Sequence, residues 1–277
     1  MKGPSILFTM LKLLEANKSW MKTITTIASD IDGTLTDEDG HFSPELIQAF
    51  LLCQRIGIKV ILVTGRPASW VQGMVEYLPV AGGIGENGGL YCPKEKEAPM
   101  KMLMTNESSL PNANWDAIEQ AHLRRRQMFE KLLERYPQLY PTADCITRLT
   151  DFTFPIANLT HDDLEIINAL CVANGYGFTY SSIHGHIKHP DQHKASGIQT
   201  VLTYVPELQA ERHQVVTVGD SRNDQEMFDK STFPNSVGVA NIEKHLPSMS
   251  IHPAYVTTLP GAKGFCELID YLVKNRN

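Results

Sequence analysis

The sequence predicts an α/β fold: a parallel β-sheet with helices on both faces, into which a smaller α/β unit is inserted. Three observations predict it. Near-continuous apolar, β-branched runs, such as "IKVILVTG" from Ile58 and "HQVVTVGD" from His213, read as strands buried on both faces. These runs alternate with stretches of helical periodicity, which is the signature of βαβ units. The texture becomes less regular from about Tyr91 to His186, and the core pattern then returns.

The elements follow in order. In residues 1–20 Lys12 interrupts the apolar segment and no small-residue cleavage site follows, so a signal peptide is not expected. This stretch reads as an extension, either a short amphipathic helix or a translation-start artefact, with Met21 directly before the first strand. That strand, Thr23–Ala28, is β-branched and ends on Asp30 and Asp32, and Gly33 breaks it. Ser43 as N-cap, Pro44 at the first helical position and Leu46, Ile47, Phe50 and Leu51 at helical spacing predict a helix that Gly57 closes. A second strand runs from Ile58 to Thr64, and a helix follows Pro67. "PVAGGIGENGGLYC" then leads into the insert. There the sequence predicts a polar loop (94–110), a long helix from Asn114 to Tyr136, a strand at Cys145–Leu149, a shorter helix around "THDDLEIINALCVANG" and a strand pair near "FTYSSIHGHIK". A helix around "KASGIQTVLTYV", a strand ending in "GDSRND" and a short strand "SVGVAN" complete the core. The expected organisation is an extension (1–20), a core (21–90), an α/β cap (91–186) and the rest of the core (187–277).

Composition narrows the function. The 277 residues hold 42% hydrophobic and 20% charged side chains, which is ordinary for a globular protein. A balance of 25 basic to 31 acidic residues, net −6, argues against a large nucleic-acid or anionic-membrane footprint and favours a small ligand. Five cysteines without C-x-x-C spacing suggest neither a disulfide framework nor zinc, and fit the reducing cytoplasm. No apolar run is long enough to span a bilayer.

The chemistry is expected at the carboxyl ends of the strands, where ligands of such sheets gather. Residues i and i+2 of an extended chain share a face, so Asp30 and Asp32 crowd two carboxylates unless the backbone bends or a cation sits between them. Thr64, Asp220 and Asp224 lie at two further strand ends, and Lys194 begins a helix. Clustered carboxylates suit a hard cation, Mg²⁺ in particular, together with substrate phosphate. Asp30 is then a candidate nucleophile, and Asp32 a candidate to protonate the leaving oxygen and later activate water.

Four ordered pieces, "DIDGTLT" (30–36), "VTGR" (63–66), Lys194 and "GDSRND" (219–224), resemble the haloacid dehalogenase superfamily of aspartate-nucleophile phosphatases, from about Thr23 to the end of the chain. The resemblance implies a Rossmann-like core, Asp30 as nucleophile and Asp32 as general acid/base. It also implies phosphate binding by Thr64, Gly65, Lys194 and Asn223, with Asn223 orienting Lys194 or the phosphate. Mg²⁺ would be held by Asp30, the backbone carbonyl of Asp32 and Asp220, with Asp224 as an outer partner. An insert between the second and third motifs matches the type with an α/β cap, the Cof-like group. "GENGG" (85–89) and "HGHIKHPDQHKASG" (184–197) look most like its archaeal-type phosphoglycolate phosphatases and their small-substrate relatives.

Substrate contacts are expected from Arg66, Glu86, Asn87, Arg148 and His186. Arg148 could meet either a substrate carboxylate or a surface ion pair, and Asn87-Gly88 is also a plain turn signal. "HLRRR" (122–126) reads as a solvated helix face, and His184, His186, His189 and His193 lack compact zinc spacing. The leading expectation is a cytoplasmic, Mg²⁺-dependent phosphomonoester hydrolase for a small metabolite such as phosphoglycolate or a sugar phosphate, working as a monomer or small homo-oligomer. A phosphomannomutase-like phosphomutase and a catalytically silent metabolite-binding protein are the alternatives.

Overall fold

The structure, a computed structural model, describes residues 11–13, 18–95, 100–103, 115–181 and 183–276. In chain order its elements are β1 (Leu11–Lys12), β2 (Thr26–Ser29), α1 (Pro44–Arg55), β3 (Lys59–Val63), α2 (Ala68–Tyr77), β4 (Gly82–Gly85), β5 (Leu90–Pro93) and β6 (Lys101–Met102). Then come α3 (Trp115–Leu133), β7 (Asp151–Pro155), α4 (His161–Ala173), β8 (Gly177–Tyr180) and β9 (His184–Lys188). The chain closes with α5 (Lys194–Tyr204), β10 (Val215–Gly219), β11 (Asn235–Gly238), β12 (Tyr255–Val256) and α6 (Gly261–Arg276).

The main sheet has the order β1-β12-β11-β10-β2-β3-β4-β5-β6, parallel from β1 to β4 and antiparallel over its last two pairings. Its central strands are β2, β3 and β10, with Ile27 opposite Val60 on one side and Val216 on the other. Ser43 Oγ accepts from the amide of Leu46 at 3.2 Å and starts α1, whose Leu46, Phe50 and Cys53 are buried against the sheet. Leu51, which spacing groups with them, points to solvent. One apolar layer joins α1 and α2 to Phe265 and Leu268 of α6, and the other joins Ile198 and Val201 of α5 to Phe228 and Phe233. Helices therefore cover both faces, as the apolar strands require.

The inserted unit is a three-stranded antiparallel sheet, β7-β9-β8. Phe152, Phe154 and Ile187 pack against Met128, Phe129 and Leu132 of α3 and Ile167 of α4 in a core of their own. At its two ends, β5 and β6 continue the main sheet, and β9 runs on to Lys188. The strand expected at Cys145–Leu149 is instead a 3₁₀ turn over Cys145–Thr147. Thr147 Oγ1 closes it on the carbonyl of Asp144 at 2.9 Å, and burial falls on Cys145 and Arg148 with Ile146 exposed, the three-residue spacing of a turn rather than the alternation of a strand. The strand begins at Asp151, where Phe-Thr-Phe alternates.

Part of the extension belongs to the main sheet. Leu11 and Lys12 pair with Tyr255 and Val256, Leu13 is buried, and Trp20 stacks on Tyr255 with ring centroids 5.5 Å apart. The described part is thus a strand and a 3₁₀ turn (Lys18–Thr23), not an amphipathic helix; 1–10 and 14–17 lie outside the described residues, as does most of the polar loop. Among the described residues no helix is long and apolar enough to cross a membrane.

Candidate active site

Neighbouring parallel strands bring the motif residues to one end of the sheet. The amide of Asp30 donates to Val218 O at 2.9 Å, fixing the exit of β2 beside that of β10, and the amide of Thr64 donates to Ile84 O at 2.9 Å. After β10 a 3₁₀ turn (Arg222–Phe228) folds Asp224 back, so that its Oδ2 accepts from the amides of Asp220 at 3.0 Å and Ser221 at 3.1 Å. Lys194 is the first residue of α5, whose N-cap is His193; His193 Nδ1 accepts from the amide of Ser196 at 3.1 Å. The helix start lies against the turn after β4: a Cβ on Gly197 would stand 2.7 Å from Gly88 Cα, and one on Gly88, where φ is +97°, would overlap the carbonyl of His193. Backbone thus meets backbone, which only glycine permits.

Lys194 is fully enclosed, and Nζ donates to Asp30 Oδ1 at 2.5 Å and Asp224 Oδ1 at 2.6 Å. Burial opposes its charge, but the two carboxylates win and raise its affinity for the proton. Burial pushes the Asp30 carboxyl well above the usual range, with Asp224 and Asp220 adding repulsion against the pull of Lys194. Asp220 is pushed up to about 7 by burial and then by Asp224. Oxygens of Asp30, Asp220 and Asp224 lie within 4.8 Å of one another. One ammonium cannot neutralise three buried carboxylates, so this set of hard oxygen donors fits Mg²⁺. Of the three, Asp30 and Asp220 line the cavity and Asp224 does not, so Asp30 and Asp220 are the two that would hold the ion directly. Asn241, which sequence reasoning missed, donates to Asp220 Oδ2 at 2.8 Å and Gly33 O at 3.0 Å. It follows β11, and the rule that brings ligand groups to the ends of parallel strands could have found it.

Asp30, Asp220 and Asn241 line an open cavity of about 1750 Å³ that residues of the inserted unit also line. Asp32 turns from Asp30 toward Arg66: Nε donates to Oδ2 at 2.9 Å and Nη2 to Oδ1 at 2.6 Å, with the guanidinium 4.9 Å from the Trp70 ring centroid. Asn223 does not touch Lys194; its Oδ1 accepts from Ser221 Oγ at 2.5 Å, and Asp224 takes the lysine. Arg222 Nη1 donates to Tyr180 Oη at 2.6 Å, a link from core to cap that spacing did not reveal.

The four remaining candidates form a buried seam between core and cap. Glu86, with left-handed backbone at φ 51°, accepts from the amides of Ala68, Leu149 and Thr150 and from Thr150 Oγ1, over 2.6 to 3.2 Å. Arg148 donates to Asp151 at 3.0 and 3.1 Å, to Asp144 at 2.8 Å and to Gly65 O at 3.0 Å. His186 Nδ1 lies 2.8 Å from Asp151 Oδ2 and 3.3 Å from Asn87 Nδ2. Arg148 and His186 reach the cavity wall, but Glu86 and Asn87 do not. Asp151, held down to about 2 mainly by Arg148 against its burial, is the hub that sequence reasoning missed.

The other motifs resolve differently. Arg125 is buried and donates to Leu149 O at 2.5 Å, so "HLRRR" is not wholly a solvated face. Among the described residues the four histidines form no metal-holding group; only the site above and an exposed trio, Asp37, Asp39 and His41, have that proximity.

A family model described as haloacid dehalogenase-like hydrolase matches residues 27–122 and 157–252. Phosphoglycolate phosphatase 1 of Saccharolobus solfataricus is 29% identical over 257 residues, covering 91% of this chain and 96% of that one. Phosphoglycolate phosphatase of Methanothermobacter thermautotrophicus is 25% identical over 244 residues, covering 88% and 96%. The crystal structure of Thermoplasma acidophilum 0175 shares the fold with a TM-score of 0.70 at 19% identity, over 90% of this chain and 98% of that one. The ordered motifs, the carboxylate cluster on a parallel sheet and these matches agree: the chain belongs to the haloacid dehalogenase-like hydrolases, as a phosphatase of the type with an inserted α/β cap.

Proposed function

We propose that the protein is an Mg²⁺-dependent phosphomonoesterase for a small phosphorylated metabolite, phosphoglycolate first among the candidates, and that it works through an aspartyl phosphate on Asp30. The observation that carries this reading is the pinned nucleophile: Lys194 holds Asp30 Oδ1 at 2.5 Å, and Asp30 lines the cavity. Relatives named phosphoglycolate phosphatases that span nearly the whole chain support the substrate.

In the first half-reaction Asp30 Oδ2 bonds to phosphorus, the ester P–O bond breaks, and the leaving oxygen takes a proton from Asp32. In the second, Asp32 takes a proton from water, which attacks the phosphorus, frees Asp30 and yields inorganic phosphate. Thr64 Oγ1 accepts from the amide of Arg66 at 3.1 Å, which leaves its O–H to donate to the phosphoryl group alongside Gly65. Lys194 complements the same oxygens. Mg²⁺ held by Asp30 and Asp220 supplies positive charge against the phosphate. The three-stranded unit acts as the lid that excludes water.

The test is phosphate release from a panel of phosphoglycolate, hexose phosphates and an aryl phosphate with Mg²⁺, for the wild type and Asp30→Asn. Expected are turnover of phosphoglycolate and a loss of at least about 10³-fold in the variant. Isomerised sugar phosphate with little free phosphate would overturn hydrolysis in favour of a mutase, and an active Asp30→Asn would exclude covalent catalysis.

A further inference from the structure

The cavity holds two arginine–carboxylate pairs of opposite character. Arg148 and Asp151 are 1% and 0% exposed, and the guanidinium also serves Asp144 and Gly65 O, so both its terminal nitrogens are committed. Arg66 and Asp32 are 36% and 49% exposed, on the cavity wall. Removing a partner from the first strands a buried charge; the second is screened by solvent and contributes little. Of the two guanidiniums, only that of Arg66 can change partners cheaply. Its plane lies over Trp70, which keeps the fork oriented while one anion replaces another.

Asp32 stands on the other side of this fork, with both its oxygens accepting from Arg66. We infer that Arg66 is the receptor for a carboxylate on the leaving group of the substrate, which takes up donors that Asp32 occupies in the structure. The favoured substrates are phosphate esters with a carboxylate close to the ester oxygen. Neutral leaving groups have nothing to offer the fork. This moves carboxylate recognition from Arg148 to Arg66, and it rests on the phosphatase reading with Asp30 as nucleophile.

The test compares phosphoglycolate with 2-hydroxyethyl phosphate, which keeps the size but lacks the carboxylate, using wild type, Arg66→Gln, Arg66→Lys and Asp30→Asn. Wild type should favour phosphoglycolate in kcat/KM. Arg66→Gln should lower kcat/KM on phosphoglycolate by roughly 30-fold or more, the scale of a bidentate charge-assisted contact. The loss on the hydroxyethyl ester should be smaller by about tenfold or more, because that ester has no carboxylate for the fork to hold. Arg66→Lys, which keeps the charge without the fork, should fall between on phosphoglycolate. Equal losses on both esters, or a wild type indifferent to the carboxylate, would overturn the inference while leaving the phosphatase reading intact. An Asp30→Asn chain as active as wild type would overturn that reading as well.

Discussion

Arg148 of the inserted unit donates to the carbonyl of Gly65 in the core at 3.0 Å, while the same nitrogen reaches both oxygens of Asp151. One buried guanidinium thus ties the lid to the loop that presents Thr64. Sequence reasoning expects a selectivity residue at position 148, and the contacts describe a strut. Arg148→Ala should strand Asp151 at a cost of about 3–5 kcal/mol. The expected outcome is a lower denaturant midpoint, with kcat/KM falling by the same factor on every ester. A change confined to some substrates would return Arg148 to the role of substrate contact.

Glu86 gives the seam a pH dependence. Burial, ahead of repulsion from Asp151, pushes its carboxyl from 4.5 up to about 6, against the hydrogen bonds of Thr150 and Ala68. A raised folded value means the protonated form is favoured on folding. Its stabilising contribution is therefore full below the unfolded value and lost as pH rises through about 6. The amount is on the order of 2 kcal/mol. Glu86→Gln has no such proton to lose, so its stability relative to wild type should improve between pH 4.5 and 6.5 in urea titrations. Parallel profiles would remove Glu86 as the source.

Lys194→Met should abolish phosphate release and destabilise the chain by about 3–5 kcal/mol, since Asp30 and Asp224 lose their only close cation among the described residues. Because a ligand that binds only the folded state stabilises it, Mg²⁺ should raise Tm in wild type. In Lys194→Met, where the carboxylates are less neutralised, the increment should be larger. Thermal scans with and without Mg²⁺ decide both points.

Asn241 holds one oxygen of Asp220, a proposed metal ligand, and the carbonyl of Gly33 at once. Chelation should remove activity and Mg²⁺ restore it. Asn241→Ala should raise the Mg²⁺ concentration for half-maximal activity by about 10–100-fold, the usual cost of losing a partner behind a ligand. An unchanged activation curve would mean that Asp220 needs no such support.

The sequence made the core legible because its cues are local. The apolar runs before Asp30, Thr64 and Asp220 can only be buried strands, and parallel strands have one end at which these residues must meet. The cap offered no such logic. Cys145–Leu149 has the composition of a strand, but Asp144 closes a turn over it, which depends on the hydroxyls of Thr142 and Thr147. Arg148 and His186 were legible as polar residues near the cavity, whereas their partner Asp151 was not, because a hub is defined by contacts far apart in sequence. Asp32 was legible as a crowded carboxylate, but its pairing with Arg66 depends on where the loop after β3 turns.

The facing glycines 88 and 197 set how this chain can drift. A methyl group on Gly197 would meet Gly88 Cα, and one on Gly88 would meet the carbonyl of His193, so a side chain at either position must shift the start of α5 and the ammonium at its first residue. Because that ammonium holds Asp30, the geometry beneath the cavity is tied to two missing side chains. Ile183, which lines the cavity from the inserted unit and is exposed, meets no such backbone, so what the cavity admits can vary at less cost than the chemistry beneath it.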